Sequence, residues 1–286
     1  MGAPMAACVA AAGHTVTAFD VDDERASALA DRGVLAATSG TQAATDADVL
    51  VVMVATAAQA EQALFGDPGR GTDGAHTSLR PGSTVLVMAT VGIAPVVAWS
   101  NRLAERGVRL VDAPVSGGVR RAGLGDLLIM VGGTAEDVAE VEPLLAAMAS
   151  TFRVVGPAAG DGQRVKLVNQ LLCGVHVAAA AEGLAFAESL GLDPRACWEV
   201  IRHGAAASFM LDDRGERMTD PHPDQVNSAL DIFVKDMALV VAAGTETGAW
   251  TPLARVAEQL YSDGSQAGLG RGDDSAVIEL FRRARS

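Results

Sequence analysis

Short apolar runs separated by Ala-rich amphipathic stretches fill the first half of the chain. Residues 48–54, Asp-Val-Leu-Val-Val-Met-Val, are apolar at nearly every position, the pattern of a parallel strand buried on both faces. Residues 14–20 follow Gly13, residues 83–89 follow the turn pair Pro81-Gly82, and residues 107–112 follow an amphipathic helical stretch; all three read as strands. Leu127 to Val131, closed by Gly132-Gly133, and Phe152 to Val155, closed by Gly156-Pro157, extend the series. Strand alternating with helix in this rhythm predicts an α/β fold with a doubly wound parallel sheet of the Rossmann type.

Past Pro157 the β-branched runs stop and helical periodicity continues. The shift predicts a nucleotide-binding domain over 1–157 and an all-helical domain over 158–286. Gly160 to Leu190 is too long for an average helix and is expected to be the long connecting helix. Its apolar part, Leu167 to Leu190, carries Asn169, Gln170, His176, Glu182 and Glu188, which argues against a membrane span and for burial on several sides. The glycine-rich stretch 66–74 lacks the Gly-Lys-Ser/Thr ending of a phosphate loop and reads as a surface loop.

Composition narrows the function classes. Hydrophobic residues make up 49% and charged residues 20%, which excludes a disordered chain. Lys+Arg number 22 against 35 Asp+Glu, a net charge of −13, and the basic residues are scattered, so no nucleic-acid partner is expected. Cys8, Cys173 and Cys197 lack metal-site spacing and read as buried thiols in a reducing compartment. With no signal-peptide pattern at the start, a cytoplasmic protein with no membrane partner is expected.

Three motifs carry candidate chemistry. Asp20, at the end of a strand, either accepts hydrogen bonds from an adenosine ribose or caps the helix that follows. Ser116-Gly117-Gly118, past the end of the strand closing at Asp112, is either a cradle of successive N–H groups for a carboxylate or a plain tight turn. Lys166 and Asn169, three apart, share one face of an otherwise apolar helix, where a lysine is costly unless it has a partner or a task. His176 reads as a packed histidine, His203 and His222 show no metal-ligand spacing, and Trp198 and Trp250 read as packing residues. No metal site is expected.

Several short motifs in order make the chain resemble the β-hydroxyacid dehydrogenase family, which includes 3-hydroxyisobutyrate dehydrogenase and tartronate semialdehyde reductase. They are Met1 to Ala6, Gly13 to Val16 with Asp20, Asp112 to Gly118, Gly125-Asp126-Leu127 through Gly133, Gly160-x-Gly162-x-x-x-Lys166-x-x-Asn169, Lys235-Asp236, and Gly268-Leu269-Gly270 with Asp273. The resemblance implies a 6-phosphogluconate dehydrogenase-like oxidoreductase that interconverts a short β-hydroxy acid with its semialdehyde or keto form. Lys166 is then the catalytic lysine and Asn169 orients the substrate, while Ser116, Gly117 and Gly118 hold the substrate carboxylate. Gly2, Asp20, Thr90 and Lys235 belong to the cofactor site, with NAD favoured over NADP, and the assembly is a homodimer or homotetramer. A lysine serves if burial and the positive nicotinamide ring lower its pKa toward working pH.

Departures from the family pattern are equally specific. Met1-Gly2 aligns with the last two positions of the Gly-x-Gly-x-x-Gly fingerprint, so the first strand and first two glycines are missing from the chain as given. Two inner strands are then expected to lose a neighbour, and dinucleotide binding to be weak without the missing strand. Val87 and Ala89 stand where the family usually has Asp and Ser. Arg120 and Arg121 either meet a second polar group of the substrate or are solvated. The alternative functions are an imine reductase, against which Lys166 argues, and a non-catalytic nucleotide-binding homologue.

Overall fold

The computed structural model describes residues 1–67, 69, 71–220 and 226–283. His222 lies outside the described residues. The chain divides into two compact units, Met1–Lys166 and Leu167–Ser286.

The first unit is α/β. In chain order it comprises α1 (Gly2–Ala11), β1 (Val16–Ala18), α2 (Asp23–Ser27), β2 (Val34–Ala36), α3 (Gly40–Ala44), β3 (Val49–Val52), α4 (Ala57–Phe65), β4 (Gly66–Asp67) and β5 (Thr72–Asp73). There follow β6 (Thr84–Val87), α5 (Ile93–Ala104), β7 (Arg109–Asp112), β8 (Val115–Ser116), α6 (Gly118–Gly123), β9 (Leu127–Gly132), α7 (Ala135–Met148) and β10 (Ala149–Gly156). The main sheet has the order β10-β9-β7-β6-β3, with β8 on β9. β3, β6 and β7 are parallel, with Val52 opposite Val87 and Val87 opposite Asp112. β9 runs antiparallel to β7 and β8, and β10 parallel to β9.

The two-residue period of the strand explains both layers of core. Val85 and Val87 of β6 point into a cluster with Leu64, Trp99, Leu103 and Leu110. Leu86 and the following Met88 point the other way, into a cluster with Met5, Val9, Val111, Ile129 and Leu145. All four residues of β6 are buried, as its unbroken apolar run predicts.

Several local expectations are corrected. The run 14–20 contributes only three strand residues, and β1 pairs with β2 alone, in a separate two-stranded parallel sheet. The break in pairing falls between β1 and β3. β2 escaped the pattern because three residues are too few to show a period. Part of the glycine-rich stretch is not loop: Gly66 and Asp67 pair with Thr72 and Asp73 in a short antiparallel hairpin, and the Asp67 N–H donates to the Thr72 hydroxyl at 3.0 Å. The three cysteines are free and half-buried rather than buried.

α8 (Asp161–Ser189) begins in the first unit and runs through the second. The second unit continues with α9 (Pro194–Ile201), α10 (Phe209–Thr219), α11 (Leu230–Thr247), α12 (Pro252–Gly264) and α13 (Ile278–Arg283). α8 is long and apolar enough to cross a membrane, yet half of its apolar window is buried inside the protein, and its Glu188 pairs with Arg282 of α13. Phe233 of α11 stacks on Tyr261 of α12 at 5.0 Å, and the Tyr261 hydroxyl donates to the Gly174 carbonyl at 2.7 Å. The marker Asp273 is structural. It takes Arg217 Nε at 2.9 Å and the N–H groups of Asn227 and Ser275, while fully buried Asp274 takes Arg214 at 2.9 Å. Trp198 packs as expected, its indole N–H donating to the Leu211 carbonyl, but Trp250 is 90% exposed.

Candidate active site

The carboxyl ends of β6 and β7 hold the loops that matter, the usual ligand position in an open α/β sheet. After β6 the chain runs Met88-Ala89-Thr90-Val91-Gly92 into α5. After β7 it passes Ala113-Pro114 to β8 and then Ser116-Gly117-Gly118. Gly117 has φ 144° and Gly118 φ 73°, and a Cβ on Gly117 would fall 3.0 Å from Leu127 and 3.1 Å from Arg121. Both positive φ values favour glycine, with crowding added at Gly117 alone, and the pair leaves this loop with bare backbone. Of the two nearby arginines, Arg121 is committed to Asp126 at 2.9 Å, whereas Arg120 is exposed.

The first turns of α8 insert against these loops. A Cβ on Gly162 would lie 2.6 Å from the Met130 carbonyl oxygen and 2.8 Å from that of Asp112, so only glycine permits this approach. Lys166, one turn later, is 5% exposed. Asn169 follows after three more residues.

Two groups at this junction were given no role by the sequence, although Asp112 opens one of its motifs. Asp112 and Gln163 are both fully buried. Asp112 accepts the backbone N–H of Gly160 (3.1 Å) and of Gln163 (2.8 Å), and the Gln163 side-chain amide (2.8 Å). Burial pushes its carboxyl up to about 6, against the hydrogen bonds from Gln163 and Gly160, and Asp161 adds like-charge repulsion. Gln163 also donates to the Ala89 carbonyl (3.0 Å) and accepts from the N–H groups of Val91 (3.0 Å) and Gly92 (3.2 Å). The available clue was a polar residue three before Lys166, on the same helix face.

Gly2 opens α1, lying within ordinary contact of Met53 just past β3. Asp20 closes β1. It is not the helix cap: Asp22 caps α2 by accepting the Glu24 N–H, while Asp20 accepts the Asp22 N–H at 3.0 Å. A helix start without acidic residues in its first turn, a bare Gly2 and a strand-end carboxylate fit the phosphates and ribose of a dinucleotide.

In the second unit, Lys235 and Asn169 are joined through two buried residues. Lys235 Nζ lies 2.8 Å from Asp236 Oδ1, the Gln170 amide donates to Asp236 Oδ2, and Gln170 Oε1 accepts from Asn169 Nδ2 at 2.8 Å. Gln170 thus presents nitrogen to Asp236 and oxygen to Asn169, which leaves the Asn169 amide with its nitrogen engaged. Among the described residues, no three His, Cys, Asp or Glu side chains are grouped to hold a metal.

A doubly wound sheet with a dinucleotide cradle, continuing into a helical unit through a helix that carries a buried lysine, defines an NAD(P)-dependent oxidoreductase. Residues 1–156 match the NAD-binding domain of 6-phosphogluconate dehydrogenase, and residues 160–281 match the NAD-binding domain of NADP-dependent 3-hydroxyisobutyrate dehydrogenase. The chain belongs to the β-hydroxyacid dehydrogenase family. It is 39% identical to L-threonate dehydrogenase of Cupriavidus necator, over 98% of this chain and 93% of that one. A crystal structure of 3-hydroxyisobutyrate dehydrogenase from Salmonella typhimurium superposes with a TM-score of 0.90 at 34% identity, covering 98% of this chain and 95% of that one. An imine reductase from a Pseudomonas species shares only the fold, at 20% identity and a TM-score of 0.61. The enzyme is an NAD(P)-dependent dehydrogenase of hydroxy acids.

Proposed function

We propose that this enzyme oxidises a short, hydroxylated β-hydroxy acid of the threonate type with NAD, in the cytoplasm, and that Lys166 is its acid/base. The observation that carries this reading is the buried Lys166 on α8, one turn past Gln163 and one turn before Asn169. In this reading residues 1–157 hold the cofactor and 158–286 supply the helical half. Bound NAD supplies the hydride acceptor. Gly2 at the start of α1 would hold its phosphates and Asp20 its ribose, and Thr90 and Lys235 would contribute to the same cofactor site.

The Ser116-Gly117-Gly118 loop binds the substrate carboxylate through its hydroxyl and N–H groups. Lys166, as the neutral amine, takes the hydroxyl proton while the carbinol hydrogen leaves as hydride; in reduction its ammonium returns that proton to the new alkoxide. Asn169, its amide nitrogen engaged by Gln170, offers its carbonyl oxygen to the substrate hydroxyl. The relatives' substrates support a β-hydroxy carboxylate: threonate, 2-(hydroxymethyl)glutarate and serine all carry one. Exposed Trp250, Leu253 and Val256 support a homodimer or homotetramer that covers them.

The test is steady-state oxidation of L-threonate and related β-hydroxy acids with NAD and NADP, by the parent and by Lys166→Ala. Turnover of the variant falls by about two to four orders of magnitude, with cofactor binding retained. A variant that turns over like the parent overturns the assignment of Lys166.

A further inference from the structure

We propose that Gln163 is a positioning residue for the reaction: its buried amide, held by Asp112, fixes the Thr90 loop against the helical turn that carries Lys166. The proposal rests on the reading above, in which Thr90 serves the cofactor and Lys166 moves the proton. Hydride and proton must leave neighbouring atoms of one substrate. The two elements that handle them must therefore keep a fixed separation, and a misplacement of about 1 Å costs about a hundredfold in rate.

The geometry meets this need through one side chain. Ala89 and Val91, which flank Thr90, and Gly92 one residue further all bond to Gln163. Gln163 lies three residues before Lys166 on α8, so those bonds reach the lysine's own turn. The third tie runs to Asp112, which ends β7 four residues before Ser116. A single amide thus joins the cofactor loop, the proton-transfer helix and the strand leading to the carboxylate loop.

The polarity of this joint is fully determined. The N–H groups of Val91 and Gly92 can only donate, so the atom facing them is Oε1. The Ala89 carbonyl can only accept, so Nε2 faces it, and Asp112 must accept the remaining N–H. Asp112 in turn receives two backbone N–H groups on its other oxygen. Every donor and acceptor of the Gln163 amide is used, with no water access. A purely space-filling residue needs none of this order, and leucine would fill the same volume.

The test uses the full-length enzyme, with Gln163→Glu, Asp112→Asn and the double variant combining them. In Gln163→Glu the two carboxyl groups of residues 112 and 163 face each other and must share a proton. The other charged groups on the elements packed there are Asp161, itself paired with Arg164, and Lys166 on the next turn. We expect near-parent kcat at low pH and a loss of about a hundredfold as the shared proton leaves, with the Michaelis constant for NAD little changed. Parent oxidation rises with pH instead, as Lys166 loses its proton. Asp112→Asn sets donor against donor and lowers kcat at all pH values. The double variant exchanges carboxylate and amide across the same bond, losing only the tie to Ala89, and recovers about tenfold over either single change.

Melting curves for each variant separate folding from rate. A Gln163→Glu enzyme with the parent's kcat and pH profile overturns the proposal, as does a double variant no better than its singles. If the parent itself oxidises no β-hydroxy acid with either cofactor, the reading of Lys166 falls and the proposal with it.

Discussion

Asp20 illustrates how a single carboxylate acquires meaning from its neighbours. With Asp22 capping α2, Asp20 is not needed as the cap, and in the proposed cofactor site its carboxylate would meet the ribose and place a negative charge where a 2′-phosphate would lie. The parent is expected to favour NAD over NADP by about tenfold or more in kcat/KM, roughly 1.4 kcal/mol, and Asp20→Ser to narrow that ratio. Steady-state kinetics with both cofactors checks this, and equal efficiency in the parent removes Asp20 from the cofactor site. Gln163 and Asp112 show the opposite case. Their partners are 48 to 74 residues away in sequence, so no local pattern shows their pairing, although Asp112 opens one of the motifs. Lys166 and Asn169 were legible because a cation and an amide stand out on an apolar helix.

Among the elements, α8 joins sheet chemistry to the helical half, and its approach to the strand ends rests on Gly162. Gly162→Ala places a methyl group against the backbone carbonyls of Met130 and Asp112, which cannot rotate aside. Overpacking of this kind costs about 1–3 kcal/mol. The expected outcome is a lowered melting temperature and a lower kcat, because the turn bearing Gln163 and Lys166 is displaced with it. Unchanged stability would mean that α8 has slack at its start. The strand positions were largely legible from their apolar runs, and β6, β7 and β9 are buried as such runs predict. β3 is not: it ends the main sheet and Val51 is 39% exposed, so the same run there marks a strand without marking burial on both faces. β1 was legible though shorter than expected, whereas β2 was missed, its three residues being too few to show a period. Trp250 was misjudged because aromatic residues usually pack, and its place between α11 and α12, where it is 90% exposed, shows no period that would mark it as outward-facing.

For the whole molecule, Trp250 ahead of α12 and Leu253 and Val256 on its first turns form an apolar strip exposed by 90%, 64% and 61%. Three large apolar side chains along one edge are what a second copy would cover. Light scattering of the purified enzyme is expected to give a dimer or tetramer, and Trp250→Glu with Leu253→Glu to shift it toward monomer. A parent that is monomeric at working concentration rules out self-association through this strip. The sequence by itself determined the alternation of strand and helix, the change to an all-helical second half and the family, because periodicity and ordered short motifs are local properties. Only the tertiary structure decided that Asp22 rather than Asp20 caps α2, that Asp273 braces a buried ion-pair network, and that Asp112 and Gln163 hold the loops around Lys166. Hydrogen bonds between residues far apart in the chain exist only once the fold brings donor and acceptor within 3 Å and removes the water that would otherwise satisfy them.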